Sequence, residues 1–272
     1  MNYSIRQTSI TEESIVRYSK FLSMVFSNNT KFSPDFIRWL YADNPSGEVI
    51  GYDAWLGDEL VAHYATIPVE YLINNQRHKG LLSLNTATHK DHQGKGLFVK
   101  LAKKTYELGR MKGFDFVIGV ANNNSTHGFI NNLEFKLISS LDAYIGIGNI
   151  RSRKNNVTFF YNNLSDAYVK WRLSNPSNHY YSEKSSISSA TDFKLISAVI
   201  SSKYIPGLKN RFHLFNLWIG IAPVLLKKGF FIKLPSILKP SPLNLILKDL
   251  TGKFKTINKN DIFFELIDFD IY

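Results

Sequence analysis

The sequence predicts a mixed α/β (α+β) fold, and three observations support that prediction. An apolar run at residues 81–84 has the character of a buried strand, and it is followed by a polar glycine loop and a segment of helical periodicity. Strand-like runs joined by tight turns precede this unit, and a strand, a short helix and further strands follow it. The chain has 272 residues, which is enough to bury a substantial core as one large domain or two small ones.

The region before the glycine loop is predicted to hold two helices and two hairpins. Thr11 precedes two glutamates and fits the N-cap of the first helix, and Pro34 fits the start of the second. The pair Gly57-Asp58 lies between strand-like runs and predicts a tight turn. In chain order the predicted elements are a strand at 3–8, helices at 12–26 and 35–41, strands at 49–56 and 59–68, and a small hairpin at 70–79.

The glycine loop, Gln93-Gly94-Lys95-Gly96, has the properties of a pyrophosphate site. Gly94 and Gly96 have no Cβ that would hold a phosphate away from the backbone N–H groups. The helix predicted to begin at Leu97 adds the positive end of its dipole, and Lys95 adds a full positive charge. The alternative is a glycine turn before a surface helix. The strand before the loop and the helix after it favour the phosphate site.

The chain beyond this helix is predicted to complete the α/β unit. Gly113 lies where a left-handed C-cap is expected. The elements predicted after it are a buried strand at 114–120, a short helix at 126–133, and strands at 136–140 and 142–147.

These motifs resemble those of the GNAT acyltransferases. Residues 93–96 are similar to the Gln/Arg-x-x-Gly-x-Gly/Ala signature with which that family binds the pyrophosphate of coenzyme A, and residues 86–89 occupy the end of its fourth strand. The family's next signature is an Asn, a Tyr seven residues later, and Gly-Phe four residues after that; this chain has Asn123, Ile130 and Glu134-Phe135. The resemblance implies a GNAT-like mixed sheet, splayed at its middle, flanked by helices and holding coenzyme A in the splay.

The resemblance also implies the residues that bind acyl-CoA. Asn123 matches the residue that hydrogen-bonds the pantetheine arm, and His127 lies near it. Phe98 replaces the small last residue of the pyrophosphate signature, and Ile130 replaces the Tyr that protonates the departing thiolate in many relatives. The predicted coenzyme A-binding residues are Thr86, Ala87, Thr88, Gln93, Gly94, Lys95, Gly96, Leu97, Phe98, Asn123 and His127.

Three side chains are candidates for the catalytic step. A base within hydrogen-bond reach is needed to take a proton from the attacking amine. His63 is predicted to face the cleft from the strand beside the central one, against the alternative of a structural histidine. Ser83 and Asn85 share one face of the central strand and are predicted to hold a water. A backbone N–H of residues 86–88 is the expected oxyanion donor.

The second half of the chain is predicted to be a degenerate repeat of the first. Residues 36–39 (FIRW) are echoed by residues 168–171 (YVKW), and Asn44-Pro45 is echoed by Asn175-Pro176. Strands are expected at 180–186, 192–200 and 217–220, and a helix is expected over 225–230. The second half lacks the glycine loop. The predicted domains are therefore an acyl-CoA-binding domain at 1–150 and a repeat at 151–272 that shapes the acceptor site.

The amino-acid composition excludes several kinds of functional site. The absence of cysteine excludes disulfides, a cysteine nucleophile and thiolate metal sites, and no metal is predicted.

The start of the chain lacks the apolar core of a signal peptide, and the longest apolar run, 217–226, is about half of the roughly 20 residues of a membrane span. A cytoplasmic protein is therefore expected. The net charge of +11 is concentrated in the second half. Either it is a solvated basic surface, or it attracts an anionic substrate such as a nucleotide diphosphate; a nucleic acid fits less well.

The expected function is acyl transfer from acyl-CoA by direct attack of an amine. The resemblance favours an acetyl or other short acyl group, including 3-hydroxybutyryl, and a dTDP- or UDP-linked amino sugar used in surface polysaccharide synthesis. Two alternatives stay open: another amine as acceptor, such as an aminoglycoside, polyamine or peptide, and a binding protein that keeps the coenzyme A site without turnover.

Overall fold

The structure is a computed structural model that describes residues 2–27, 31–183, 186–190, 196–201, 208, 213–235, 242–254 and 257–269. The α-helices within these ranges are α1 (Glu12–Val25), α2 (Pro34–Tyr41), α3 (Leu97–Met111), α4 (Asn123–Leu133), α5 (Asp166–Leu173) and α6 (Leu266–Phe269). The first strands are β1 (Ser4–Gln7), β2 (Ile50–Leu56), β3 (Glu59–Ile73), β4 (Gln76–Thr88), β5 (Phe116–Ala121), β6 (Lys136–Ser140), β7 (Asp142–Arg153) and β8 (Phe160–Asn162). The later strands are β9 (Tyr180–Glu183), β10 (Ser186–Ala190), β11 (Ile196–Ser201), β12 (Phe215–Ile221), β13 (Val224–Lys233), β14 (Asn244–Asp249) and β15 (Ile262–Glu265).

Within the described ranges these strands join into one 15-stranded mixed sheet. Its main path runs β6-β14-β5-β4-β3-β8-β15-β12-β11-β10-β9, with β1 and β2 attached at β3, and β7 and β13 attached at β12. Helices pack on the sheet and bury their apolar faces in its core. No helix of the described residues is long and apolar enough to cross a membrane.

The first half follows the predicted order of elements closely. Thr11 and Ser33 cap α1 and α2, each accepting a hydrogen bond from the backbone N–H three residues later. The predicted small hairpin at 70–79 is instead the tip of two long strands, β3 and β4, which turn at Asn74 and Asn75 with positive φ. The strands continue through residues 68–70 because their side chains are mostly buried in the sheet.

The central sheet is splayed between β4 and β5. These strands pair in parallel only from Gly80–Ser83 to Phe116–Gly119 and separate beyond that point. On its other side β4 has a bulge, because Asn85 and Thr86 together lie opposite Tyr64 of β3. The predicted splayed, mixed sheet flanked by helices is therefore confirmed.

The two halves exchange strands, which the sequence did not predict. β14 from the second half inserts between β5 and β6 and pairs antiparallel with both. β7 leaves the first sheet region and pairs with β12 and β13 instead. The chain crosses over at Leu141, whose N–H donates to the carbonyl of Leu243 at 2.8 Å. A boundary at residue 150 thus falls inside β7, and neither half completes its own sheet.

The order of pairing nevertheless repeats. In the first half β2, β3 and β4 are antiparallel neighbours, β4 and β5 are parallel, and β14 and β6 follow as antiparallel strands. In the second half β9, β10 and β11 are antiparallel, β11 and β12 are parallel, and β7 and β13 follow as antiparallel strands. The exchanged strands β14 and β7 therefore occupy equivalent places in the two sheets.

One predicted element of the second half is wrong, and two lie partly outside the described residues. The strand expected at 180–186 is described as β9 and the first residue of β10, and residues 184–185 lie outside the described residues. The helix expected over 225–230 is part of strand β13, because this segment pairs along its length with β7. The strand expected at 192–200 is described from residue 196 onward, as β11; residues 192–195 lie outside the described residues. The strand expected at 217–220 is confirmed as part of β12.

Candidate active site

A cavity of about 870 Å³ opens where β4 and β5 separate. Ligand sites commonly have volumes of roughly 300–1,000 Å³, so the cavity has room for a substrate of moderate size. Both halves of the chain contribute to it. The residues that line it are Phe26, Lys31, Phe32, Ser33, Leu82, Ser83, Leu84, Asn85, Thr86, Gly119, Val120, Asn122, Ser125, Phe129, Pro176, Ser177, Ile246 and Phe269.

The glycine loop contains two glycines in a left-handed conformation. Gly94 and Gly96 have φ of 71° and 70°, a left-handed conformation that favours glycine, and open space surrounds the position of a Cβ at each. Gly96 begins α3, and no side chain caps that helix end. The first N–H groups of α3 and the exposed backbone of the loop are thus arranged as in an anion-binding helix terminus.

The side chains around the loop have structural contacts. Gln93 donates from Nε2 to the carbonyl of Thr88 at 3.3 Å, which ties the loop back to the end of β4. Lys95 donates from Nζ to the carbonyl of Asp91 at 3.2 Å and remains exposed. Leu97 is buried in the core under α3.

Phe98 packs away from the loop. Its ring makes edge contacts with the rings of Tyr64 and Phe129, at centroid distances of 6.0 and 5.1 Å. A Cβ on Gly128 of α4 would lie 3.1 Å from this ring, so Gly128 and Phe98 are matched in size. Phe98 therefore packs α3 against α4 through its ring.

The residues at the end of β4 divide between cavity and core. Thr86 lines the cavity, whereas Ala87 is buried and lies opposite His63 of β3. Beyond Ser83 the β4 backbone is not paired with β5, so the edge of β4 faces the splay. This is the place in which the sequence predicted an oxyanion donor among residues 86–88.

At the start of α4 the cavity is lined by Asn122, one residue before the predicted Asn123. Asn122 is the N-cap of α4 and accepts a hydrogen bond from the N–H of Ser125 at 2.9 Å. Asn123 is exposed and lies outside the cavity lining. His127 is also exposed and is hydrogen-bonded to Asn131 one turn later. In a run of three asparagines the sequence alone does not determine which one caps the helix.

His63 does not face the cavity, contrary to the prediction. Its side chain is fully buried, and Nδ1 lies 2.6 Å from Oδ1 of Asp53 while Nε2 lies 2.8 Å from the hydroxyl of Tyr41. The Tyr18 ring stacks on the imidazole, with ring centroids 4.6 Å apart. Both ring nitrogens are thus occupied, and His63 reaches no cavity-lining atom directly.

Ser83 lines the cavity and is linked to two buried tyrosines. Its Oγ lies 2.8 Å from the hydroxyl of Tyr64, which in turn lies 2.6 Å from the hydroxyl of Tyr106. Burial raises the pKa of both phenols well above the ordinary value. Both therefore stay protonated near neutral pH and serve as hydrogen-bond donors or acceptors rather than as bases.

Asn85 lines the cavity from the β4 bulge. It has φ of 46°, a left-handed conformation that asparagine tolerates better than most residues. Its Nδ2 donates to the hydroxyl of Tyr41 at 2.9 Å. Burial raises the pKa of Tyr41 far above its ordinary value, so this hydroxyl keeps its proton. Tyr41 is a site residue that the sequence did not indicate, because a tyrosine at the end of a helix has no distinguishing pattern.

The second half forms part of the cavity wall. Pro176 and Ser177 follow α5, and Phe269 belongs to α6. Ser177 donates from Oγ to the carbonyl of Lys31 at 3.1 Å, which joins the two halves at the rim. Lys31 is the charged residue of the lining as described, and that lining contains no carboxylate.

A family model and several solved structures match this chain. Residues 6–137 match the model of the family described as Acetyltransferase (GNAT) domain. That range includes the glycine loop, β4 and β5, and it ends before the exchanged strand β14. No curated protein sequence matches the chain significantly.

Several solved structures share the fold over nearly the whole chain. A structure from Enterococcus faecalis V583, described as a probable N-acyltransferase, has a TM-score of 0.60 and 9% identity, covering 92% of this chain and 73% of its own. A GCN5-related N-acetyltransferase from Anabaena variabilis ATCC 29413 has a TM-score of 0.60 and 11% identity, with coverage of 91% and 73%. One from Kribbella flavida has a TM-score of 0.56 and 10% identity, with coverage of 91% and 71%. At such low sequence identities, the similarity to these structures shows a shared fold and nothing more.

Proposed function

We propose that this chain, whose residues 6–137 match the model of the GNAT acetyltransferase domain, transfers an acetyl or other short acyl group, such as 3-hydroxybutyryl, from acyl-CoA to the amino group of a nucleotide-linked amino sugar. The observation that carries the proposal is the position of the cavity. It opens in the splay between β4 and β5, and the same strand β4 leads directly into the glycine loop.

This arrangement fits the two ends of an acyl-CoA molecule. The loop N–H groups and the uncapped start of α3 would hold the pyrophosphate, with Gly94 and Gly96 leaving space for it. The pantetheine arm would then run along the unpaired edge of β4, where Thr86 and Asn122 line the cavity. The proposed coenzyme A contacts remain those predicted from the sequence, with Asn122 added.

The chemistry proposed is direct transfer. The amine lone pair forms the new C–N bond at the thioester carbonyl, the C–S bond breaks, and its electron pair leaves on the coenzyme A sulfur. The amine gives up one proton to solvent and the departing thiolate takes one up from solvent, so the products are an amide and the coenzyme A thiol. The sequence has no cysteine to form an enzyme thioester, so a single transfer step accounts for the reaction. A β4 backbone N–H would stabilise the developing oxyanion.

The cavity lining favours an acceptor that is neutral or anionic overall. Its described residues include Lys31 and no carboxylate, whereas a polycationic amine is best matched by acidic groups. Four phenylalanines, at positions 26, 32, 129 and 269, line the cavity and make part of its wall apolar, which suits the packing of a sugar or a base. A sugar linked to a nucleotide diphosphate meets both conditions.

The remaining parts of the proposal rest on the resemblance and on charge. They are a dTDP or UDP carrier, a role in surface polysaccharide synthesis, a cytoplasmic location, and the division of work in which residues 1–150 bind acyl-CoA and residues 151–272 shape the acceptor site. The position of Pro176, Ser177 and Phe269 in the cavity wall supports that division.

Another amine, such as an aminoglycoside, a polyamine or a peptide lysine, is the nearest alternative. A binding protein without turnover is a second candidate, because Ile130 stands where many GNAT enzymes have a tyrosine acid. The phenols that approach the cavity, Tyr41 and Tyr64, do so through Asn85 and Ser83.

An assay of thiol release distinguishes the proposed function from these two alternatives. Acetyl-CoA and 3-hydroxybutyryl-CoA are each incubated with the protein and with one amine from a panel of dTDP- and UDP-linked amino sugars, spermidine, an aminoglycoside and a lysine peptide. The proposal predicts release with a nucleotide-linked amino sugar. Thiol release only with another amine would show that this amine, and not a nucleotide-linked amino sugar, is the acceptor. Coenzyme A binding without amine-dependent thiol release would favour the binding protein.

A further inference from the structure

We propose that Asn85 is the residue that orients the acceptor amine, and that a buried chain of Tyr41, His63 and Asp53 holds its carboxamide with the oxygen toward the cavity. This inference rests on the proposed function, because it assigns a role within the same site.

The chain of hydrogen bonds is continuous from the core to the cavity. Asp53 Oδ1 lies 2.6 Å from His63 Nδ1, His63 Nε2 lies 2.8 Å from the Tyr41 hydroxyl, and Asn85 Nδ2 lies 2.9 Å from that hydroxyl. Asp53, His63 and Tyr41 are each at most 1% exposed, whereas Asn85 lines the cavity. The buried part thus ends in a single side chain at the cavity wall.

The direction of the bond at the cavity end is what matters for Asn85. The Asp53 carboxylate only accepts, from His63 Nδ1 and from the hydroxyl of Tyr18 at 2.6 Å. At the other end of the chain, Asn85 donates from Nδ2 to the Tyr41 hydroxyl. The donor of the Asn85 amide faces the core, and its carbonyl oxygen is the atom presented to the cavity.

The backbone supports a functional placement of Asn85. It lies in the left-handed region at φ 46°, inside the bulge where two residues of β4 oppose one of β3. Strained residues of this kind persist where the surrounding structure holds them, and bulges redirect side chains near active sites. Without the bulge, Asn85 would continue the regular alternation of β4 and its side chain would be aimed elsewhere.

A fixed carboxamide oxygen beside the splay suits the attacking amine. It accepts one N–H of the neutral amine and thereby directs the nitrogen lone pair toward the thioester carbonyl. An asparagine is neutral and takes no proton, so its contribution is orientation. Tyr41, His63 and Asp53 act through Asn85 and are positioning residues, whereas Asn85 touches the substrate.

The test combines kinetics with a double variant. With the amine that supports thiol release, Asn85→Ala is expected to lower kcat by about a hundredfold, the scale of a misplaced reactant, with the KM for acyl-CoA unchanged. Tyr41→Phe, which removes the hydroxyl and leaves the ring, is expected to lower kcat about tenfold. If Tyr41 acts only through Asn85, the double variant loses no more than Asn85→Ala alone.

The matched control is Tyr71→Phe. Tyr71 is another buried tyrosine of the sheet, and its hydroxyl has no hydrogen-bond partner among the described residues. This variant should keep the wild-type kcat. Unchanged kcat in Tyr41→Phe, or a double variant that multiplies the two losses, would overturn the inference.

A second readout is independent of turnover. The Asn85 side-chain amide gives an NMR signal that is identified by its loss in Asn85→Ala. The inference predicts that Tyr41→Phe shifts this signal because Nδ2 loses its acceptor, while Tyr71→Phe leaves it in place. An unmoved signal in Tyr41→Phe would refute the chain even if no amine supported turnover, whereas a shifted signal without turnover would leave the chain intact and count against the proposed function.

Discussion

Trp39 and Trp171 each donate their indole N–H to the other's backbone carbonyl, at 2.8 and 2.9 Å, and their rings stack with centroids 4.8 Å apart. Trp39 belongs to the last turn of α2 and Trp171 to the last turn of α5. The carbonyls at a helix C-terminus have no partner within the helix. Each indole therefore caps the other half's helix.

The residues around this pair are also equivalent in the two halves. Ser33 and Ser165 each cap the start of their helix by accepting from the backbone N–H three residues later. Asn44 and Asn175 each accept, through Oδ1, from the N–H two residues later. The echoed sequence motifs thus form matching local structures that meet face to face beside the cavity.

Replacing Trp171 by Phe should destabilise the protein through the lost cap. The Trp39 carbonyl would be left buried without its donor, which typically costs about 1–3 kcal/mol beyond the change in packing. Trp218→Phe is the matched control, because Trp218 is 1% exposed and its Nε1 has no partner in the described structure. Denaturant unfolding should show the larger loss of stability for Trp171→Phe. An equal or larger loss for Trp218→Phe would show that the reciprocal bonds contribute little.

Replacing Gly96 by Ala should weaken coenzyme A binding. Gly96 has φ of 70°, and Gly113 at the other end of α3 has φ of 81° with equally open space around it. Alanine in this region costs about 1–2 kcal/mol at either position, so both variants should lose similar stability. Only Gly96→Ala disturbs the backbone of the proposed pyrophosphate site. Calorimetric titration with coenzyme A should show reduced affinity for Gly96→Ala and wild-type affinity for Gly113→Ala. Equal affinities in the two variants would place the pyrophosphate elsewhere.

Asp268 should make stability decline as pH rises. Burial raises the pKa of its carboxyl from 3.8 to about 7. Between these values the folded protein binds a proton that the unfolded chain releases, so the free energy of unfolding falls as pH increases from about 4 to 7. At about 1.4 kcal/mol per pH unit, the resulting cost above pH 7 is about 4 kcal/mol.

Asp268→Asn should therefore raise stability at pH 7.5 and reduce the slope between pH 4 and 7. The amide keeps an oxygen that can accept from the N–H of Glu265, as Oδ2 of Asp268 does at 2.7 Å. Asp58→Asn, in the exposed turn between β2 and β3, serves as the comparison. Chemical denaturation across this pH range measures the effect. A slope as steep in Asp268→Asn as in the wild type would contradict the assignment.

The strand exchange predicts that the first half does not fold alone. A fragment of residues 2–140 lacks β14, which joins β5 to β6, and its unpaired β5 edge favours aggregation. Because Asn244 lies opposite Ser140, a short turn can connect residue 140 to residues 242–254. We expect this fusion to unfold cooperatively and the shorter fragment to aggregate. Cooperative unfolding of residues 2–140 by circular dichroism would count against an essential role for β14.

The sequence predicted the features that depend on local pattern. The cap at Thr11, the helix start at Pro34, the turn at Gly57 and the strand, loop and helix around Gly94 and Gly96 all have short-range signals, and the structure contains each of them. The resemblance carried by that loop led to the splayed mixed sheet, a fold that the solved structures share, and residues 6–137 match the model of the GNAT acetyltransferase domain.

The features that were missed depend on contacts between distant residues. Residues 225–230 were expected to be a helix because they resemble the GNAT helix that ends in Gly-Phe, but their pairing with β7 makes them part of β13. His63 was expected to face the cleft, but its side chain is fully buried and contacts Asp53 and Tyr41. An alternating strand pattern gives the two faces of a strand without saying which one is the cavity.

The most direct test of the account is a crystal structure of the protein with bound acetyl-CoA. The account predicts that the pyrophosphate lies on the N–H groups of residues 94–98 and that the thioester lies in the splay between Ser83 and Gly119, within reach of Asn85. Coenzyme A bound on another surface, with the splay between β4 and β5 closed or unoccupied, would contradict it.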